Sequence, residues 1–176
     1  MNNKKRFVVI AIFAVMALVI SGASGCEKKI AEKITEKAIE GASNSGVDVD
    51  LDNDQITINT NSGSFQAGEN VTLPDNFPSD VYVIDGDIQS AITSAENGSF
   101  SVSIESSDSV SEVQAKYTQQ MADEGWTSSL TMNYGDSASL GFTKGETRTA
   151  TIIIAANNDT NKTTVSITTS TNEDFN

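Results

Sequence analysis

Residues 109–126 read SVSEVQAKYTQQMADEGW, and the fold is decided there. Ser109 and Glu112 match the S-x-x-E capping box, in which side chain and backbone satisfy each other's free donors at a helix start. Val110, Val113, Tyr117 and Met121 recur at helical spacing and define one apolar stripe. Gly125 is the residue type that ends helices in the left-handed conformation. Trp126, directly after it, stands where a side chain folds back on the last turn, so contact with Met121 is expected. A core role for this lone tryptophan is favoured over a ligand-stacking platform. Asp123 and Glu124 sit at the negative end of the helix dipole and call for a compensating cation, Lys144 or Arg148.

Outward from this helix the period changes to two. Phe100, Val102 and Ile104 interleave with Ser99, Ser101 and Ser103; Leu140 and Phe142 sit beside Ser139, Gly141 and Thr143; Val165 and Ile167 flank Ser166. Such alternation means strands with one apolar face and one wet, hydroxyl-rich face. Strands are expected at Val81 to Ile84, Ile88 to Thr93, Phe100 to Ile104, Ser128 to Asn133, Ala138 to Thr143, Arg148 to Ala155 and Thr163 to Thr169. Asn97-Gly98 is a strong hairpin signal. The order β-β-β-α-β-β-β-β predicts an α+β domain, mainly an antiparallel sheet curled around one helix. Six or seven strands at about 4.8 Å span roughly 25–30 Å. A helix about 10 Å across covers two or three of them. The remainder needs wrapping of the sheet, with the 47–60 hairpin as an additional lid, or a partner chain.

That hairpin is read from Val47 to Thr60. With Asn53-Asp54 as its turn, Leu51 pairs with Ile56 and Val49 with Ile58. The other face sets Asp52 against Gln55, Asp50 against Thr57 and Asp48 against Asn59. Asp48, Asp50 and Asp52 invite a cation, and their spacing is similar to the start of an EF-hand loop. The likeness stops at Asn53, where that loop has glycine, and at Asn59, where it has glutamate. Same-face strand residues lie about 6.6 Å apart, whereas calcium gathers oxygens within about 2.6 Å. A solvated strand face is the simpler reading. Asp85 and Asp87, around Gly86, form a second cation candidate that a glycine turn explains equally well. Residues 61–80 hold both prolines, Pro74 and Pro78, and read as a linker, with a short edge strand at Val71-Thr72-Leu73.

The N-terminus supplies the address. Lys4, Lys5 and Arg6 precede an uncharged, largely apolar run of 19 residues from Phe7 to Gly25, whose last third is small rather than apolar. That is the order of a secretory signal. Ala23-Ser24-Gly25-Cys26 resembles the lipobox of prokaryotic lipoproteins, with alanine at Ala23 where the family most often has leucine. The resemblance covers residues 1–26 and implies a diacylglycerol on the Cys26 sulfur and removal of residues 1–25. It carries no activity. Residues 27–40 read EKKIAEKITEKAIE. Ile30, Ile34 and Ala38 form a thin apolar stripe and Lys29/Glu32, Lys33/Glu36 and Lys37/Glu40 pair beside it, the pattern of a charged spacer helix. The C-terminal half resembles domains of secreted prokaryotic lipoproteins in general pattern only, which implies no activity.

The expected organisation is a signal at 1–25, the anchor site, spacer helix and hinge at 26–46, the hairpin at 47–60, the linker at 61–80, the compact domain at 81–170 and a tail at 171–176. The chain carries a formal charge of −13. Three of its 11 basic residues and none of its 24 acidic ones precede Gly25, so the processed chain carries −16. A field of that sign repels phosphate backbones, so no nucleic acid is expected as a partner. There is no histidine, and Cys26 is the only cysteine. Imidazole-built zinc sites, Ser–His pairs and thiol chemistry drop out, as do the Gly-x-Ser-x-Gly, Ser-x-x-Lys and phosphate-loop motifs. No catalytic residue and no cofactor is assigned. The expectation is a non-enzymatic binding or scaffold module outside the cytoplasm, held to the cell membrane through a lipid on Cys26, with an envelope protein as possible partner. Alternatives are a calcium-responsive surface module using the aspartates above and, behind it, a carboxylate-dependent hydrolase.

Overall fold

The computed structural model describes residues 47–52, 54–95 and 98–171, with side chains except at 47, 51, 52 and 171. The signal, Cys26 and the expected spacer helix lie outside the described residues. Strands β1 (Val47–Asp52), β2 (Gln55–Thr60), β3 (Gly63–Gly68), β4 (Asp87–Ser94) and β5 (Ser99–Ser106) precede helix α1 (Val110–Asp123). Strands β6 (Thr127–Tyr134), β7 (Ser137–Lys144), β8 (Arg148–Asn157) and β9 (Lys162–Thr171) follow it. They form one sheet in the order β1-β2-β3-β4-β5-β9-β8-β7-β6, with every neighbour antiparallel. This is the α+β class read from the sequence, one helix on an antiparallel sheet.

Helix α1 begins and ends as its sequence dictates. The Ser109 backbone N–H donates to Glu112 Oε2 at 2.9 Å, and the Glu112 N–H donates to Ser109 Oγ at 3.4 Å. At the other end Gly125 has φ +82°. The Gly125 N–H donates to the Ala122 carbonyl at 3.0 Å and the Trp126 N–H to the Met121 carbonyl at 2.9 Å, the paired bonds of a Schellman stop. Val113, Tyr117 and Met121 are fully buried, each burial contributing about 1.5–3 kcal/mol. They meet Val102 and Ile104 of β5, Leu140 of β7, Ile152 and Ile154 of β8 and Val165 and Ile167 of β9 in one core.

The helix lies against β6, β7 and β8. The β4–β5 end of the same face is closed by residues 71–86, which form a strap. Phe77 packs edge-on against Phe100 with ring centroids 5.6 Å apart, and Tyr82 does the same against Tyr117 at 5.1 Å. Val81 and Ile84 are buried in that core. Val81 to Ile84 therefore form no strand, contrary to the alternation. Both edges of β4 are already taken, by β3 and β5, so this segment finds no ladder and contributes side chains alone. Val71-Thr72-Leu73 is likewise irregular.

Two further differences concern the front of the chain. Its hairpin forms in the expected register, with Val49 opposite Ile58, Leu51 opposite Ile56 and Asp50 opposite Thr57. It is not a lid. Within the stretch read as linker, Gly63–Gly68 is a strand that pairs with β2 on one side and β4 on the other, so the hairpin continues the sheet. Moreover, the apolar face changes sides. The β4–β5 register shifts between Ile88 and Ser90, leaving Gln89 as the extra residue of a bulge. Ile88 stands opposite Ile104 on the helix side. Ile92 stands opposite Ser101, and the row Ser101–Ile92–Phe65–Ile58–Val49 runs along the face away from the helix. Because strand side chains alternate with a period of two, a single inserted residue suffices to transfer the whole apolar set.

Candidate functional site

A cluster of charged side chains meets the packed side of the domain around Asp80 in the strap. Arg148 at the start of β8 donates both terminal nitrogens to the Asp80 carboxylate, at 2.6 and 2.7 Å. Lys144 at the end of β7 donates to the same carboxylate at 2.6 Å and to the Glu124 carbonyl at 2.6 Å. The lysine so compensates the helix C-terminus, as expected, while Arg148 serves the strap. The Arg148 guanidinium lies 4.9 Å from the Trp126 ring centroid and the Lys144 ammonium 5.9 Å from it. Trp126 is 4 % exposed and its indole N–H donates to the Asp80 carbonyl at 2.6 Å. The tryptophan is thus a covered core residue. The Arg148 hydrogen bond, opposed by burial and aided by Lys144, holds the Asp80 carboxyl far below its usual range. Two cations already answer this carboxylate, so the cluster works as a latch on the strap.

Val113, Tyr117 and Met121 fill the space between α1 and the sheet. Burial raises the Tyr117 phenol well above its ordinary range, and the Ile84 backbone offsets only part of that shift. A small cleft of about 260 Å³ lies between strap residues Thr72–Asn76 and Ser64, Gln66, Ala91 and Thr93; its walls are mostly polar. A wider groove runs from the N-terminus of α1 past Asp136 to Asn157 and Lys162.

The opposite face is open. Its centre is rich in hydroxyls. One row runs Ser139, Ile153, Ser166, Ser103 and Ser90 from β7 to β4, with Ile153 set among the serines, and the next holds Thr151, Thr168 and Ser101 on three adjacent strands. Ser101 and Thr168 hydroxyls lie 3.4 Å apart and those of Thr149 and Ser170 2.9 Å apart. On one flank stand Val49, Ile58, Phe65 and Ile92, half-buried. On the other stand Leu130, Met132 and Tyr134 of β6, which with Ile153 are the exposed large hydrophobics among the described residues. The sequence announced the hydroxyls. It did not announce that apolar residues border them on both sides, because that depends on the Gln89 bulge and on β6 lying at an edge.

The carboxylates singled out as cation candidates are not brought together. Asp48 and Asp50 are exposed on neighbouring same-face positions of β1. Asp52 is at the register position opposite Gln55. Asp87 accepts a hydrogen bond from Lys162 at 3.1 Å, and the same ammonium is 3.4 Å from Glu105. That pairing raises the Lys162 pKa. Asp85 is exposed beside it. Gly86 between them has a packing reason, since a Cβ there would lie 2.4 Å from the Glu105 carbonyl oxygen. Among the described residues no group of three or more potential metal-ligating side chains converges.

Residues 88–174 match a family model described as START domain-like. The match opens at Ile88 and takes in β5, α1 and β6 to β9. No curated protein and no solved structure matches the chain. START domain-like modules are typically non-catalytic, which agrees with the reading of the chain as a non-enzyme. From β4 onward the chain is therefore similar to START domain-like modules, a likeness consistent with a general binding or scaffold role.

Proposed function

We propose that this chain is an extracytoplasmic module, tethered to the cell membrane through a lipid on Cys26, that binds an envelope protein with the sheet face turned away from the helix. One observation carries the choice of face. The helix side is closed by α1 and the latched strap, whereas the distal side presents aligned Ser and Thr hydroxyls between two apolar flanks. Hydroxyl rows supply hydrogen bonds at small side-chain entropy cost, and apolar flanks supply the desolvated anchors of an interface. Pull-down from envelope extract is expected to enrich one partner with the parent chain and to lose it with Ser101→Lys/Thr168→Lys. Retention of that partner by the double variant removes this face from consideration.

A second reading rests on the START-like similarity together with the strap. An apolar ligand would enter between sheet and helix once residues 71–86 lift away, and Asp80 is what holds them down. Asp80→Ala is then expected to take up a fluorescent fatty-acid probe more readily than the parent. If neither chain binds the probe, this reading ends and the distal face stands alone.

A further inference from the structure

We propose that Arg148 and Lys144 form the head-group subsite for an anionic amphiphile, a carboxylate on one apolar chain, and that residues 71–86 occupy the ligand's place in the closed state. This rests on the second reading above and adds to it the ligand's chemistry and an internal competitor. Asp80 is the strap's own carboxylate. Arg148 meets it with both terminal nitrogens, at 2.6 and 2.7 Å, and Lys144 adds a third donor at 2.6 Å. A planar fork with an ammonium beside it recognises a carboxylate whatever chain carries it. Both cations lie over the Trp126 ring, which gives the head an apolar floor.

The rest of the strap stands in for the apolar chain. Phe77, Val81 and Ile84 are buried in the same core as Phe100, Val102, Ile104 and Tyr117. Their backbone takes no part in the sheet. The Phe77 N–H donates to the Pro74 carbonyl at 2.9 Å and the Val81 N–H to the Pro78 carbonyl at 3.1 Å, both turns inside the strap. Lifting these residues therefore breaks no ladder, and an alkyl chain can replace their side chains without disturbing β4 or β5. The closed state also has a defect under the strap. The Tyr117 hydroxyl, beside strap residue Tyr82, is buried and has no hydrogen-bond partner among the described residues; the Ile84 backbone nearby does not bond it. A buried orphan hydroxyl disfavours closure, which makes the strap displaceable.

Charge selects the head. The chain as a whole is acidic, at −13, and Lys162 lies between two carboxylates, Asp87 and Glu105. Lys144 and Arg148 instead converge on one, so the departure of Asp80 takes an acceptor from both. Their side chains are only 30 % and 26 % exposed, so water replaces that acceptor poorly. An incoming carboxylate restores it. An alcohol restores less, and an ammonium head is repelled. Asp80 and the ligand's carboxylate thus compete for one position, and the strap is closed when the ligand is absent.

The test uses the full chain in non-ionic detergent and follows the fluorescence of Trp126, the only tryptophan. Hexanoate, hexanol, hexylammonium and acetate are the probes, because together they separate head from chain. Asp80→Asn, with circular dichroism matching the parent, is expected to bind hexanoate about tenfold more tightly than the parent does, since the strap no longer competes. It is expected to bind hexanol about tenfold more weakly than hexanoate, for want of charge-assisted hydrogen bonds, and hexylammonium not at all. Acetate, lacking the chain, is expected to bind at least about tenfold more weakly than hexanoate. Adding Arg148→Ala is expected to erase the preference for hexanoate over hexanol. In the parent, which needs no substitution, hexanoate but not hexanol is expected to speed chymotryptic cleavage at Phe77 or Tyr82. Equal binding of hexanoate and hexanol overturns the head-group subsite and leaves the second reading standing. Binding of neither overturns both. Parent cleavage that hexanoate leaves unchanged overturns the strap as competitor.

Discussion

Replacing Arg148 by alanine removes two hydrogen bonds to Asp80 and the cation above Trp126, and leaves a half-buried carboxylate to Lys144 alone. Hydrogen bonds to charged groups are worth about 1.5–3 kcal/mol, less where solvent reaches them. Chemical denaturation of Arg148→Ala is expected to show a loss of about 1–3 kcal/mol. The pH dependence has a definite sign. The Asp80 pKa is lowered on folding from a reference of 3.8, so its stabilisation is complete above that value and is lost as pH falls below it. The melting temperature of the parent is expected to fall between about pH 5 and pH 2, and more gently in Arg148→Ala. Part of this was legible. A cation for the helix end was anticipated, and Lys144 supplies it. The role of Asp80 was not, because nothing local distinguishes a carboxylate in a Pro-Ser-Asp turn from any other among 24 acids.

At the scale of elements, α1 was read correctly from cap to stop, since its signals all lie within 18 consecutive residues. Ser109→Ala removes the acceptor for the Glu112 N–H and one half of the capping box. Thermal or urea unfolding is expected to register about 0.5–2 kcal/mol. The β1–β2 hairpin was also legible, register included, because a two-residue turn fixes every later pair. β3 was not. Its sequence, GSFQAG, has weak strand propensity, and it becomes a strand because β2 and β4 offer it ladders on both sides. Val81 to Ile84 is the converse, a run with strand-like alternation and no free edge to join. The Gln89 bulge is a third instance, a one-residue offset seen only when β4 and β5 are laid against each other.

For the whole molecule, the tether is the claim with the clearest chemical readout. Mass spectrometry of the mature N-terminus is expected to find Cys26 as the first residue, carrying a diacylglyceryl mass. An intact Met1 on protein recovered from the aqueous fraction would contradict the tether, the removal of residues 1–25 and the expected place outside the cytoplasm. Sequence alone determined what depends on neighbours along the chain: the helix and its caps, the alternation of the strands, the acidic charge, the absence of histidine and the residues around Cys26. Tertiary structure decided what depends on residues far apart in the chain. The order of strands left β1 and β6 as the edges, the strap rather than the hairpin closed the helix side, and one bulge sent the apolar residues of β1–β3 to the hydroxyl face. The reason is common to all three. Propensity and caps act within a few residues, whereas an edge, a lid or a face exists only in relation to strands that pairing brings alongside.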